Sequence, residues 1–161
     1  MRIDSLFSGI GGLELGLEAS LHGETIWQVE LLDLPRAVLA EHWPNANRSV
    51  TDVRAASEAT LAPVDLICGG FPCQDLSPAG KQAGLSGERS GLAFEFLRII
   101  EEMGPRLVVV ENTHAGWRRW VPELRRALHR LGFSSVPLRV RASDVGAPHQ
   151  RARCFLIAHA H

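Results

Sequence analysis

Asp65-Leu-Ile-Cys-Gly-Gly-Phe-Pro-Cys-Gln-Asp-Leu-Ser77 passes in one short stretch from a buried strand to an exposed, chemically able loop. Val64 to Cys68 reads as a central parallel strand, and Gly69-Gly70 closes it and opens a loop at its carboxyl end. In open α/β sheets that end is where ligands bind. Pro72 fixes its own φ and pushes Phe71 towards extended geometry, so Cys73 is presented in a restricted direction. Read locally, Cys73 is either a nucleophile or a small buried hydrophobe. Cys68 and Cys154 sit inside apolar runs, Leu66-Ile67-Cys68 and Cys154-Phe155-Leu156-Ile157, and are predicted to be core.

Working outward, the same β-then-α alternation recurs. Arg2 to Phe7 predicts a first strand, and Ser8-Gly-Ile-Gly-Gly12 a turn feeding a helix that begins near Leu13. Gly9 and Gly11 either let the backbone approach a ligand or serve tight packing. Thr25 to Glu30 predicts a second strand tipped by a carboxylate, about 20 residues after the glycine turn, where nucleotide-binding α/β folds carry a ribose-binding acid. Pro35 to Trp43 predicts a helix with proline at its start. Asp52 is open to two readings, a ligand contact or the N-cap of the segment after Arg54.

The polar connection Ser77 to Gly91, with Lys81 and Arg89, has the length of a functional lid. Leu92 to Met103 places Phe94, Leu97, Ile100 and Met103 at helical spacing. Leu107 to Val110 is a strand ending in Glu111-Asn112. Trp120 to Leu131 is an amphipathic helix whose arginines form a solvated face or contact DNA. Phe133 to Arg141 and Arg151 to His159 predict a terminal antiparallel hairpin. Together these segments define an α/β fold, a doubly wound, mainly parallel sheet with helices on both faces and a C-terminal antiparallel hairpin.

With 161 residues there is material for one domain spanning 1–161. No stretch approaches the roughly 20 apolar residues of a membrane span, and Met1-Arg-Ile-Asp4 is unlike a signal peptide, so a cytoplasmic protein is expected. Three cysteines without a Cys-x-x-Cys pair argue against a disulfide framework and a zinc site. The net charge of -1 shows no basic footprint for the chain as a whole, the usual mark of a protein that grips duplex DNA unaided.

The Gly-Gly-Phe-Pro-Cys-Gln loop followed by Asp-Leu-Ser resembles the catalytic loop of the bacterial and phage DNA (cytosine-5) methyltransferases. Leu6-Phe-Ser-Gly-Ile-Gly-Gly12, Glu111-Asn112 and Gln150-Arg-Ala-Arg153 follow that family's motifs in order. The resemblance implies a Rossmann-like, S-adenosylmethionine-dependent methyltransferase fold. It implies transfer of a methyl group to C5 of a cytosine flipped out of duplex DNA, through a covalent adduct of Cys73. Glu111 would hydrogen-bond the base at N3 and the amino group, Arg153 would hold O2, and Arg151 would hold Glu111. The structural alternative for the two arginines is an edge strand blunted by charge.

By the same resemblance Phe7 lies against the adenine, the backbone from Gly9 to Gly11 near the methionine moiety, Glu30 on the ribose and Asp52 on the adenine amino group. Ser8, Ile10, Val53 and Pro72 complete the cofactor contacts it implies. Thr113 after Asn112, and Leu32 where the family often has Asp, depart from its pattern. Relative to the family the catalytic domain is expected to be incomplete, with target recognition supplied by a second polypeptide or a further region. The competing reading is a non-catalytic S-adenosylmethionine-binding or remnant domain. No metal and no membrane contact are expected.

Overall fold

A computed structural model describes residues 1–72, 91–114 and 117–161. Six strands form one sheet: β1 (Arg2–Leu6), β2 (Glu24–Val29), β3 (Leu66–Gly69), β4 (Leu107–Thr113), β5 (Phe133–Arg141) and β6 (Ala152–Ala160). Their order is β2-β1-β3-β4-β6-β5. The first four run parallel, β6 enters antiparallel to β4, and β5 pairs only with β6 at the edge. The predicted doubly wound sheet with a terminal hairpin is therefore present. The chain winds outward from β1 to β2 and then returns to β3 on its other side. That reversal places a topological switch point between β1 and β3, and a crevice opens there beyond the strand ends.

Four helices cover the sheet: α1 (Gly12–Leu21), α2 (Asp33–His42), α3 (Gly91–Met103) and α4 (Trp117–Arg130). Leu13 and Leu17 of α1 pack on a small cluster of Ile3, Leu66, Cys68 and Val109. The opposite face carries the larger core, where Phe96 and Ile100 of α3 and Trp120, Leu124 and Leu128 of α4 meet Ile67, Val108, Val110, Leu156 and Ala158. Central strands buried on both faces need the near-continuous apolar runs seen at 66–68 and 107–110. Cys68 and Cys154 are buried in this core as the sequence predicts.

Several local expectations shift. Helix α3 buries Ala93, Phe96, Leu97, Ile99 and Ile100, whereas Phe94 is 52% exposed. Of the predicted stripe Leu97 and Ile100 are buried and Met103 packs against the core, so Phe94 alone departs, and the buried face widens to take in Ala93, Phe96 and Ile99. Helix α2 begins at Asp33, two residues before Pro35, which the first turn accommodates because its amides have no helical acceptor. Strand β4 runs on to Thr113 because β6 supplies antiparallel partners as far as Arg153. Pro137 is accepted within β5 because an edge strand can spare a donor.

Between Ile3 and Asp4 the pairing of β1 with β2 slips by one residue, skipping Ile26. The Asp4 carboxyl fills this bulge and accepts the Trp27 amide at 2.8 Å. Asp4 is fully buried, and desolvation raises its pKa to about 9. Its second oxygen has no hydrogen-bond partner among the described residues, so the proton resides there at neutral pH.

Candidate active site

The crevice at the switch point is a cleft of about 920 Å³, within the range of small-molecule sites. One wall is the turn from β1 into α1. Phe7 adopts φ 58°, a left-handed conformation that strains a bulky residue, and Gly9 follows at φ 56°. The Ser8 amide donates to Val29 O at 3.2 Å, which ties the turn to the end of β2. Phe7, Ser8, Gly9 and Ile10 all line the cleft.

Other residues named from the sequence are placed differently. Gly11, at φ 87°, answers to packing: a Cβ there would lie 2.3 Å from the Trp43 ring. Glu30 spends both carboxylate oxygens on backbone amides, Oε2 accepting from Gly9 at 2.9 Å and Oε1 from Leu32 at 2.9 Å. It therefore fixes the glycine turn and the start of α2 at once. Asp52 caps the short 3-10 turn Val53–Ala55 and accepts the Arg54 amide at 3.0 Å, the structural one of its two readings. Val53 is buried in the main core. None of Gly11, Glu30, Asp52, Val53 and Pro72 lines the cleft itself.

The opposite wall carries charge. Glu111, on β4, stands opposite Phe155 of β6 and two register positions from Arg153, on the same face of the sheet. Arg153 Nε lies 2.6 Å from Glu111 Oε1. The family resemblance implies that task for Arg151. Here Arg151 lines the cleft and acts on Glu111 through its field, while Arg153 makes the contact. Burial raises the Glu111 pKa, and the two arginines pull it back down.

Gly69 and Gly70 make room for this arrangement. A Cβ on Gly69 would lie 2.2 Å from Leu6 O, and one on Gly70 would lie 2.9 Å from Glu111 Oε2. The next residue, Phe71, is buried with edge-on contacts to Phe96 and Trp120, each at 6.4 Å between ring centroids. Asn112 Nδ2 donates to Phe71 O at 3.1 Å. A buried aromatic and a buried amide thus anchor the chain immediately before Pro72. Cys73, Lys81 and Arg89 lie outside the described residues.

Glu14 was not singled out by its sequence context, because a glutamate one turn into a helix normally reads as solvent-facing. It is fully buried at the cleft floor. Its Oε1 accepts from Ser5 Oγ and, at 3.4 Å, from Gln28 Nε2, while Ser5 Oγ also meets Ser8 Oγ. Its Oε2 has no partner among the described residues, and desolvation raises its pKa. The detectable signal was Ser5 and Gln28, polar residues within two strands that must be buried. Among the described residues no three His, Cys, Asp or Glu side chains gather as a metal site. No helix there is long and apolar enough to cross a membrane.

A doubly wound sheet with a glycine turn at its switch point and an antiparallel closing hairpin has the architecture of the S-adenosylmethionine-dependent methyltransferases. The Entamoeba histolytica methyltransferase EhMeth superposes with a TM-score of 0.84 at 17% identity, covering 100% of this chain and 53% of that one, a likeness of fold. The family model for C-5 cytosine-specific DNA methylases matches residues 1–161, and the chain belongs to that family. It is 37% identical to the Type II methyltransferase M2.BsuMI of Bacillus subtilis (strain 168), across 98% of this chain and 42% of that protein. It is 30% identical to the Type II methyltransferase M.HhaI of Haemophilus parahaemolyticus, across 98% of this chain and 48% of that protein. The chain thus spans about half the length of the curated relatives it matches.

Proposed function

We propose that residues 1–161 form the S-adenosylmethionine-binding and catalytic domain of a DNA (cytosine-5) methyltransferase that needs a further target-recognition part, in the same or a second polypeptide. The observation that carries this reading is the Glu111–Arg153 pair, a carboxyl of raised pKa held by a guanidinium beside the switch-point cleft, in a chain that matches the family throughout. S-adenosylmethionine, when bound, supplies an electrophilic methyl group on a sulfonium centre. The cleft fits such a ligand in volume, in the strained Phe7 turn at its rim and in the unpartnered Glu14 oxygen at its floor.

On this reading the Cys73 thiolate adds to C6 of a flipped cytosine, and the electron pair moves through the ring to make C5 nucleophilic. Glu111, whose pKa burial raises against the pull of the two arginines, donates a proton to N3 as charge grows there. Arg153 holds Glu111, and Arg151, which is exposed at the cleft, is free to reach the base oxygen. After C5 is substituted, loss of its proton returns the electrons, the S–C6 bond breaks and the thiolate is regenerated.

The test uses duplex DNA carrying 5-fluorocytosine, whose fluorine blocks the elimination. With S-adenosylmethionine and the recognition region of a relative added in trans, the chain forms a covalent adduct that survives denaturation. Cys73→Ser abolishes it and Cys68→Ser does not. An adduct that persists in the Cys73 variant places the nucleophile elsewhere and removes this mechanism.

A further inference from the structure

Helix α4 carries Arg118, Arg119, Arg125, Arg126 and Arg130 against the single acid Glu123. It is therefore four positive in a chain whose net charge is -1, and the remaining residues carry five net negative charges. All five arginines are exposed, and among the described residues none makes an ion pair. Arg119, Arg126 and Arg130 recur at seven and four residues, so they share one helix face and span about 16 Å along it.

Arg126 and Arg130 of this face, with Arg125 beside them, form the wall of a groove. Between α4 and the edge strand β5 runs a groove of about 680 Å³ lined by Arg125, Arg126, His129, Arg130, Ser134 and Ser135, with no carboxylate in its lining. Arg125 Nε donates to Ser135 Oγ at 3.3 Å, which orients one guanidinium across the groove. Phe133 and His159, which also line it, lie at the start of β5 and the end of β6. Glu111 and Arg153 are near the opposite ends of β4 and β6, so the groove and the candidate active site occupy opposite ends of the sheet.

We propose that the α4 groove is a second nucleic-acid contact, a binding site for the phosphates of duplex DNA that acts without reading sequence. A row of exposed guanidinium groups, without an ion pair among the described residues, matches a regularly charged polyanion, and its forked donors suit phosphate oxygens. It rests on the DNA reading above only for the choice of duplex over other polyanions. The whole-chain charge conceals this site because the acids that cancel it lie on other elements.

The experiment measures fluorescence anisotropy of a labelled duplex without cytosine-5 target sites, titrated with the full chain at several salt concentrations. Substituting Arg125, Arg126 and Arg130 together with Gln weakens binding tenfold or more at low salt. The slope of log K against log[salt] becomes shallower by about 2 to 3, since each lost phosphate contact removes about 0.9. The corresponding triple Lys variant keeps most of the slope, and circular dichroism shows all three proteins folded. Unchanged affinity and slope in the folded Gln variant overturn the proposal. So does displacement of the duplex by polyglutamate at equal charge concentration, which would assign the groove to an acidic protein segment. Calorimetry with S-adenosylmethionine separates the two readings: the Gln variant binds it as the parent does, and a parent that binds duplex through α4 but not S-adenosylmethionine sinks the proposed function alone.

Discussion

Arg153 on β6 reaches across the antiparallel pair to Glu111 on β4, its Nε 2.6 Å from Oε1, and the neighbouring Arg151 adds its field without a contact. Burial and the two guanidinium groups therefore pull the Glu111 pKa in opposite directions, burial being the larger. Arg153→Ala should move the Glu111 titration midpoint upward, and Arg151→Ala should move it upward by less. Carbon-13 NMR of the Glu111 side-chain carboxyl reads both. Equal shifts, or a larger one from Arg151→Ala, would show that the contact does not belong to Arg153.

Gly70 faces that same carboxylate. A methyl group there would sit 2.9 Å from Glu111 Oε2 and 3.0 Å from Glu111 O, and backbone cannot withdraw as a flexible side chain can. Gly70→Ala is expected to cost about 1–3 kcal/mol and to disturb the ion pair. Gly16 supplies the contrast, since a Cβ there meets nothing within 4 Å and lies inside α1. Gly16→Ala should stabilise by about 0.5–1 kcal/mol. Urea midpoints that fall for both variants would mean that helix propensity is not what Gly16 gives up.

Phe71 packs beside α3 and Phe94 lies within it, yet the fates of these two aromatic residues differ. Phe71 is 4% exposed and wedged against Phe96 and Trp120, whereas Phe94 projects into solvent. Phe71→Ala should cost about 3–5 kcal/mol. Phe94→Ala should stay within about 0.5 kcal/mol. Thermal denaturation of the two variants side by side decides it, and a large loss from Phe94→Ala would return that residue to the core.

The contrast between those residues marks how far the sequence could be read. Element type and order were legible because β3 and β4 are continuous apolar runs and the helices repeat with clear periods. The stripe of α3 was legible at Leu97, Ile100 and Met103 but not at its first residue, because Ala93, Phe94 and Phe96 leave two apolar faces open at the start of the helix. Glu111, Arg151 and Arg153 were legible through the resemblance of Glu111-Asn112 and Gln150-Arg-Ala-Arg153 to the family's motifs, but which arginine touches the carboxylate depends on inter-strand register. Glu14 and Asp4 were missed for one reason. A carboxyl buried in its protonated form is spelled with the same letter as a charged surface acid, and only the packing around it tells them apart.

Asp4 offers the sharpest test of that distinction. Its carboxyl titrates near 9 in the folded protein, because burial disfavours the charged form, against 3.8 as the ordinary value. Between those two values the native state holds a proton that the unfolded chain has released. Unfolding free energy must therefore fall as pH rises through that window, and the burial of Glu14 pushes the same way. Asn is the same shape as the protonated acid, and its carbonyl can still accept the Trp27 amide that closes the bulge. Asp4→Asn should exceed the parent in stability by a margin that widens steadily from pH 5 to pH 8.5, because across that window the parent increasingly carries the cost of a buried protonated carboxyl whose unfolded form is ionised. Urea denaturation at the two pH values gives the answer. A parent whose midpoint is level from pH 5 to 8.5, or a variant that keeps the parent's full decline, would mean that Asp4 is ionised in the folded protein and has a counter-charge near its second oxygen.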